Sequence, residues 1–193
     1  MPRDICMERF CEKVTEEIRS IYKAHAVDIQ KLNDVPTNRM TASAIVFSLS
    51  RKEIWMVGDC QALIGGKLYE NNKPFEEEIA ARRASLIRQG MPPADARKAI
   101  EPLLIQAMLD GQNTHYAVID GFPIYREGVK VISPAIGEIV LASDGYPFLK
   151  PTLAESEAAL QAQLAADPQN ISSFLATKGL LEGNHSFDDR SYI

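Results

Sequence analysis

The chain has 193 residues, 21 Lys+Arg against 26 Asp+Glu for a net charge of -5, and 46% hydrophobic residues. That composition excludes a disordered, collagen-like or coiled-coil chain and fits one globular domain spanning residues 1–193. The mild acidity, with no stripe of Lys and Arg to neutralise phosphates, speaks against a nucleic-acid partner. The longest apolar runs, such as Ala44-Ile45-Val46-Phe47, are strand-sized and far short of the roughly 18 residues that a membrane helix takes, so no membrane partner is expected. Met1-Pro2-Arg3-Asp4 opens without the apolar stretch of a secretory signal. Cys6, Cys11 and Cys60 form no CxxC pair and no disulfide framework, and this points to a reducing, cytoplasmic setting.

Residues 4–24 carry Met7, Phe10, Cys11, Val14, Ile18 and Ile21 at steps of three and four, which predicts an amphipathic helix. Residues 28–40 hold Asn33, Asp34, Pro36 and Asn38 and read as loop. Short β-like runs follow at 42–49, 53–58, 61–64 and 67–69. Turns as tight as Gly65-Gly66 make an antiparallel meander the natural connection. Two helices are predicted next, at 75–89 and 93–110, with a kink or break at Pro102. Strand-like runs return at 115–119, 128–132 and 136–142. Two further helices, at 153–165 and 170–181 with Asn170 as N-cap of the second, precede a last strand at 190–193. Meandering strands with helices grouped between them predict an α+β fold of antiparallel sheet covered by helices.

Three acidic positions stand where a strand ends and the chain turns: Asp59 after Ile54-Trp55-Met56-Val57-Gly58, Asp144 after Ile139-Val140-Leu141-Ala142-Ser143, and Asp188 before the final strand. Carboxylates converging from separate strands suit hard divalent cations such as Mg²⁺ or Mn²⁺ and a two-metal site for attack at phosphorus. Gly-Asp and Asp-Gly are also ordinary turn dipeptides, and spacing alone leaves that alternative open. His25, His115 and His185 lack any zinc-ligand spacing. Cys60 reads as a small buried hydrophobe, Ser143 sits in no nucleophile elbow, and Gly65-Gly66 lacks the lysine and helix of a phosphate loop. Thr41 as an N-terminal nucleophile would need cleavage before it.

Thr41-Ala42-Ser43-Ala44-Ile45-Val46, followed by Trp55-Met56-Val57-Gly58-Asp59-Cys60-Gln61-Ala62, resembles the G-S-T-A and V-G-D-S-R-A strands of the type 2C, metal-dependent protein phosphatases. Gly66 to Pro74 looks like their G-K-x-x-x-L-T-x-D-H-K-P stretch, and residues 76–90 like the E-x-x-R-I-x-x-x-G helix after it. Ile139-Val140-Leu141-Ala142-Ser143-Asp144-Gly145 is similar to L-L-A-S-D-G, and Phe187-Asp188-Asp189-Arg190-Ser191-Tyr192-Ile193 to the closing D-N-x-T-x-I/V. The matches run in family order from about residue 41 to 193.

The resemblance implies a four-layer α-β-β-α sandwich of two antiparallel sheets flanked by helices, N-terminally incomplete, with residues 75–110 as a helical flap beside the cleft. It implies two Mn²⁺ or Mg²⁺ ions, with Asp144 and Asp188 as ligands and Asp59 near them in an auxiliary third-metal region. The activity implied is hydrolysis of phosphoserine or phosphothreonine in a phosphorylated protein substrate by a metal-bound water, with Arg82 and Arg83 on the flap available to that substrate. The family's opening acidic ligand, its D-G-H-G-G motif and its N-terminal phosphate-contacting arginine have no counterpart before the first helix. The chain is therefore expected to be either a shortened enzyme or a pseudophosphatase acting as a binding or regulatory module. Sheet edges bared by missing strands would be covered by a homodimer partner.

Overall fold

The computed structural model describes residues 4–133 and 135–193. The fold is α+β, with two antiparallel three-stranded sheets and five α-helices. Helix α1 (Met7–Ala24) and the short α2 (Ile29–Asp34) lead into a meander of β1 (Ala44–Ser48), β2 (Glu53–Val57), β3 (Gln61–Ile64) and β4 (Lys67–Glu70). Helices α3 (Glu76–Arg88) and α4 (Pro93–Gly111) follow, then β5 (Lys130–Ile132), β6 (Ile139–Ala142) and α5 (Leu153–Ala166). The sheet orders are β1-β2-β5 and β4-β3-β6. No helix among the described residues is long and apolar enough to cross a membrane.

Alternation along β1 and β2 decides which side each residue serves. Ala44, Val46, Trp55 and Val57 turn to the cluster built on Phe10 and Cys11 of α1, where the Phe10 and Trp55 ring centroids lie 5.7 Å apart. Ile45, Phe47, Ile54 and Met56 belong to a second cluster that also holds Ala62, Ile64, Tyr69, Ile139 and Leu141 of the other sheet. The predicted stripe of α1 is corrected at one position: Ile21 is exposed, and Tyr22 is the buried residue of that turn.

Besides residues 190–193, where the expected strand is only an isolated bridge of Tyr192 with Ala142, the sequence reading and the structure part company at four other places. Asp28 caps α2 by accepting from the Gln30 and Lys31 amides, so the supposed loop at 28–40 opens with a helical turn and a half. Helix α4 runs through Pro102 unbroken; Lys98, whose carbonyl loses its partner there, is exposed to water. Residues 115–119 make only isolated bridges, such as Ala42 with Ile119. Their donors are spread over several partners: the His115 and Tyr116 amides go to the Gly111 carbonyl, Ile119 to the Ala42 carbonyl and Val118 to Asn113 Oδ1, which also accepts from Tyr125, while Asp120 Oδ1 accepts from Phe122. The fully buried Asp120 is itself held by Arg39 at 3.0 Å and Gln112 at 2.7 Å.

The fourth correction is the helix expected at 170–181, which does not form. Asn170 is no N-cap but a buried residue at φ 51. The Asp167 carboxylate takes the Ile171 and Ser172 amides, and arginines take the carbonyls that a helix would have used.

Strand β2 passes from the first sheet to β3 of the second through Gly58-Asp59-Cys60. Gly58 stands at φ 81 with its α-carbon against Ser43, where an added Cβ would collide with the Ser43 side chain. Gly58→Ala should therefore cost about 2–3 kcal/mol in urea unfolding, left-handed strain and overpacking together. Gly66→Ala, at the same φ in the β3–β4 turn with nothing near its Cβ, should cost only the strain, about 1 kcal/mol. Equal losses at the two sites would show that the contact with Ser43 does not matter.

Candidate functional site

Register brings the site together. Gln61 of β3 pairs with Ala142 of β6 on one side and Glu70 of β4 on the other, and Ala142 bridges Tyr192 in turn. Asp59 lies just before Gln61, Asp144 just after Ala142, Lys73 just after Glu70, and Asp188 just before the terminal bridge. All four consequently leave the sheet at the same end. There they line a cleft of about 620 Å³ together with Glu70, Glu76, Glu77 and Lys178.

Each carboxylate has a different neighbourhood. Ser43 Oγ donates to Asp59 Oδ1 at 2.5 Å, and Lys73 pairs with Asp59 Oδ2. Burial pushes the Asp59 carboxyl up, but Lys73 and Ser43 more than offset it, and the net displacement is downward. The reciprocal holds for Lys73: burial pulls its ammonium down, while Asp59, Glu76 and Asp144 hold it above its ordinary value. Asp188 pairs with Lys178 through one oxygen and accepts from the Asp189 amide at 3.0 Å through the other. Glu76, in the first turn of α3, is raised by burial with Asp59 adding and Lys73 opposing. The Cys60 thiol is pushed up to about 12 by burial and by Asp59 and Asp144, which makes it an inert thiol beside the site.

Asp144 carries the strain of the arrangement. It reaches into the cleft mouth at the solvent boundary, and desolvation there, with Asp59 and Asp188 adding, lifts its carboxyl to about 6. The following glycine is required: a Cβ at Gly145 would strike the Asp189 carbonyl and approach Arg190 Cβ to 2.7 Å. The segment that brings Asp188 is in turn pinned by Arg190, which grips Glu157 of α5 at 2.8 and 2.9 Å, while Tyr146 donates to the same carboxylate at 2.7 Å.

The cleft wall at residues 173–178 is held by arginines. Buried Arg83 donates to the Gln169 carbonyl at 2.7 Å, to Gln169 Oε1 at 2.9 Å and to the Ala176 carbonyl at 3.3 Å. Arg97 reaches the Thr177 carbonyl at 2.8 Å, and Arg88 the Ile171 carbonyl. Burial, with Arg97 nearby, pulls the Arg83 guanidinium below its usual value. Arg82 and Arg83, expected to face a substrate, do not line the cleft; Arg82 is exposed on α3 and Arg83 builds the wall from behind.

The structure thus brings Asp59, Asp144 and Asp188 to one cleft, and adds Glu76, Lys73 and Lys178, which the sequence reading did not single out as site residues. Lys73-Pro74 directly after a strand was a usable signal; nothing in the sequence near Lys178 marked it. As a donor set the cleft fits a hard divalent cation: six carboxylates, Asp59, Glu70, Glu76, Glu77, Asp144 and Asp188, face two lysines. Among the described residues no group of three His, Cys, Asp or Glu side chains already stands close enough to hold a metal ion, and Asp59 and Asp188 are paired with lysine instead. Comparison with protein-family models, with curated proteins and with solved structures returned no match.

The position of Asp144 has a consequence for pH. Its proton is held more tightly in the folded form than in the unfolded chain, so ionised Asp144 costs stability above about pH 6, and the cost fades as pH falls from 6 toward 4. Asp144→Asn should raise stability at pH 7.5 by about 1 kcal/mol, the modest size reflecting solvent screening of an exposed group. It should also flatten the stability profile between pH 4 and 6 in urea titrations. A variant no more stable than the parent at pH 7.5 would mean that neither desolvation nor the neighbouring Asp59 and Asp188 penalises ionised Asp144.

Proposed function

We propose that the chain is a metal-dependent phosphatase of the type 2C class, acting on phosphoserine or phosphothreonine in proteins. The observation that carries this reading is the convergence of Asp59, Asp144 and Asp188 on one anionic cleft, at the positions that the ordered motifs resemble. Two antiparallel sheets sharing one apolar cluster, with α1 on the outer side of the first, support a four-layer α-β-β-α sandwich. Three free thiols support a cytoplasmic setting.

On this reading Asp144 and Asp188 would hold Mn²⁺ or Mg²⁺, with Asp59 beside them. When bound, the cations would supply Lewis-acid polarisation of the phosphoryl group and activation of a water for in-line attack. The chain's own residues do the positioning. Ser43 and Lys73 fix both oxygens of Asp59, Gly145 lets the Asp188 segment pass close to Asp144, and the Arg190–Glu157 pair keeps that segment in place. Lys73 and Lys178 carry positive charge into the cleft.

A second reading is favoured by one specific observation. With Asp59 and Asp188 neutralised by lysine, the same cleft could serve a pseudophosphatase that binds a phosphorylated partner without turnover. Phosphate release from a phosphothreonine peptide and from an aryl phosphate, with Mn²⁺ or Mg²⁺ at millimolar concentration, separates the two. Metal-dependent turnover that falls at least about 100-fold in Asp144→Asn, a loss of the size that removal of one stabilising group brings, is the expected result. A folded protein with no turnover under any metal condition would overturn the enzyme reading.

A further inference from the structure

Lys178 occupies an unusual place. Its ammonium is paired with Asp188, a carboxylate assigned above to cation binding. Its backbone is immobilised on both sides of the cleft wall: the Asn170 side chain donates to its carbonyl at 3.4 Å, and Arg97 and Arg83 hold the carbonyls of Thr177 and Ala176 at 2.8 and 3.3 Å. Main chain and side chain are therefore secured by different contacts. The ammonium can leave Asp188 while the latch of arginines keeps the residue at the rim.

There is also somewhere for it to go. Lys178 and Asp188 stand on the wall between the acidic cleft and a neighbouring open cavity of about 830 Å³, whose lining includes Glu157 and Asp189. A lysine with four flexible methylenes and a point charge can swing between such faces at small cost.

We propose that Lys178 is a tethered counter-ion of the cleft, occupying Asp188 in the metal-free protein and displaced from it when a divalent cation binds. The inference rests on the metal-dependent reading above and adds a built-in competition to it. Cation affinity is set partly by what the lysine must give up. Once displaced, the same ammonium remains on its latched backbone at the wall shared by the cleft and the neighbouring cavity. The opposing possibility, a lysine that merely braces the fold, predicts the reverse response: removing it would loosen the site and weaken cation binding.

The test is a calorimetric titration of Mn²⁺ alone into the full chain and into Lys178→Met and Lys178→Arg at pH 7.5. Removing a unit positive charge within a few ångströms of a divalent site should tighten Mn²⁺ binding about tenfold, and Lys178→Arg should bind as the parent does. Unchanged or weaker affinity in Lys178→Met overturns the proposal while leaving the metal reading intact. Absence of Mn²⁺ binding to parent and variant alike, both folded, overturns the metal reading and this proposal with it. Should Lys178→Met fail to fold, the parent alone decides. The Lys178 ammonium resonance, assigned by its loss in Lys178→Arg, should shift on saturation with Mg²⁺; a resonance that stays in place overturns the proposal.

Discussion

The pairing of Gln61 with Ala142 fixes almost everything about the site. Once β3 and β6 are antiparallel in that register, residues just before Gln61 and just after Ala142 must emerge at the same end of the sheet, because antiparallel neighbours reverse direction. A shift by one residue would turn Ala62 and Leu141 out of the cluster between the sheets and carry Asp59 and Asp144 to different levels. The apolar alternation that buries the sheet and the convergence of the carboxylates are thus one constraint. The bridge from Ala142 to Tyr192 extends it to the end of the chain and places Asp188 within the same electrostatic field.

That constraint explains what could be read from the sequence. Strands at 44–48, 53–57, 61–64 and 67–70 follow from alternation and from a Gly65-Gly66 turn with both residues at positive φ. The three carboxylates were legible because each sits at a strand end. Residues 115–119 and 170–181 depart from expectation although the first is apolar and the second opens on Asn170, a residue type suited to an N-cap but here at φ 51. In both, side chains intercept the backbone: Asn113 takes the Val118 amide in the first, and in the second Asp167 takes the Ile171 and Ser172 amides while the arginines of α3 and α4 take carbonyls. The arginine partners are set by tertiary placement, and no local pattern near Ala176 announces Arg83 from 93 residues away.

Arg83 shows how a residue type can mislead when its surroundings are unknown. An arginine on a charged helix beside a candidate cleft invites a phosphate-binding role. Its burial inverts the inference, because a guanidinium at 2% exposure must turn to protein: Nε lies buried without a partner, while both terminal nitrogens donate their hydrogen bonds there. The carbonyls of Gln169 and Ala176 receive them, and the substrate side of the wall is shaped by Ser173 to Lys178 instead. The role passes from contact with a ligand to the shape of the wall a ligand meets.

The charge of the cleft, finally, imposes an order of events on the phosphatase reading. On that reading, a phosphoryl dianion approaching six carboxylates and two lysines would meet net repulsion in the metal-free protein. Cations entering first would reverse that field, relieve the part that Asp59 and Asp188 add to the desolvation that lifts Asp144 to about 6, and free lysine ammonium for the incoming anion. Each of these changes would lower the cost of the next, so cation and phosphate binding would reinforce one another. The same electrostatics would let the metal-free protein discriminate against free phosphate while still accepting the cations that make it a phosphate site.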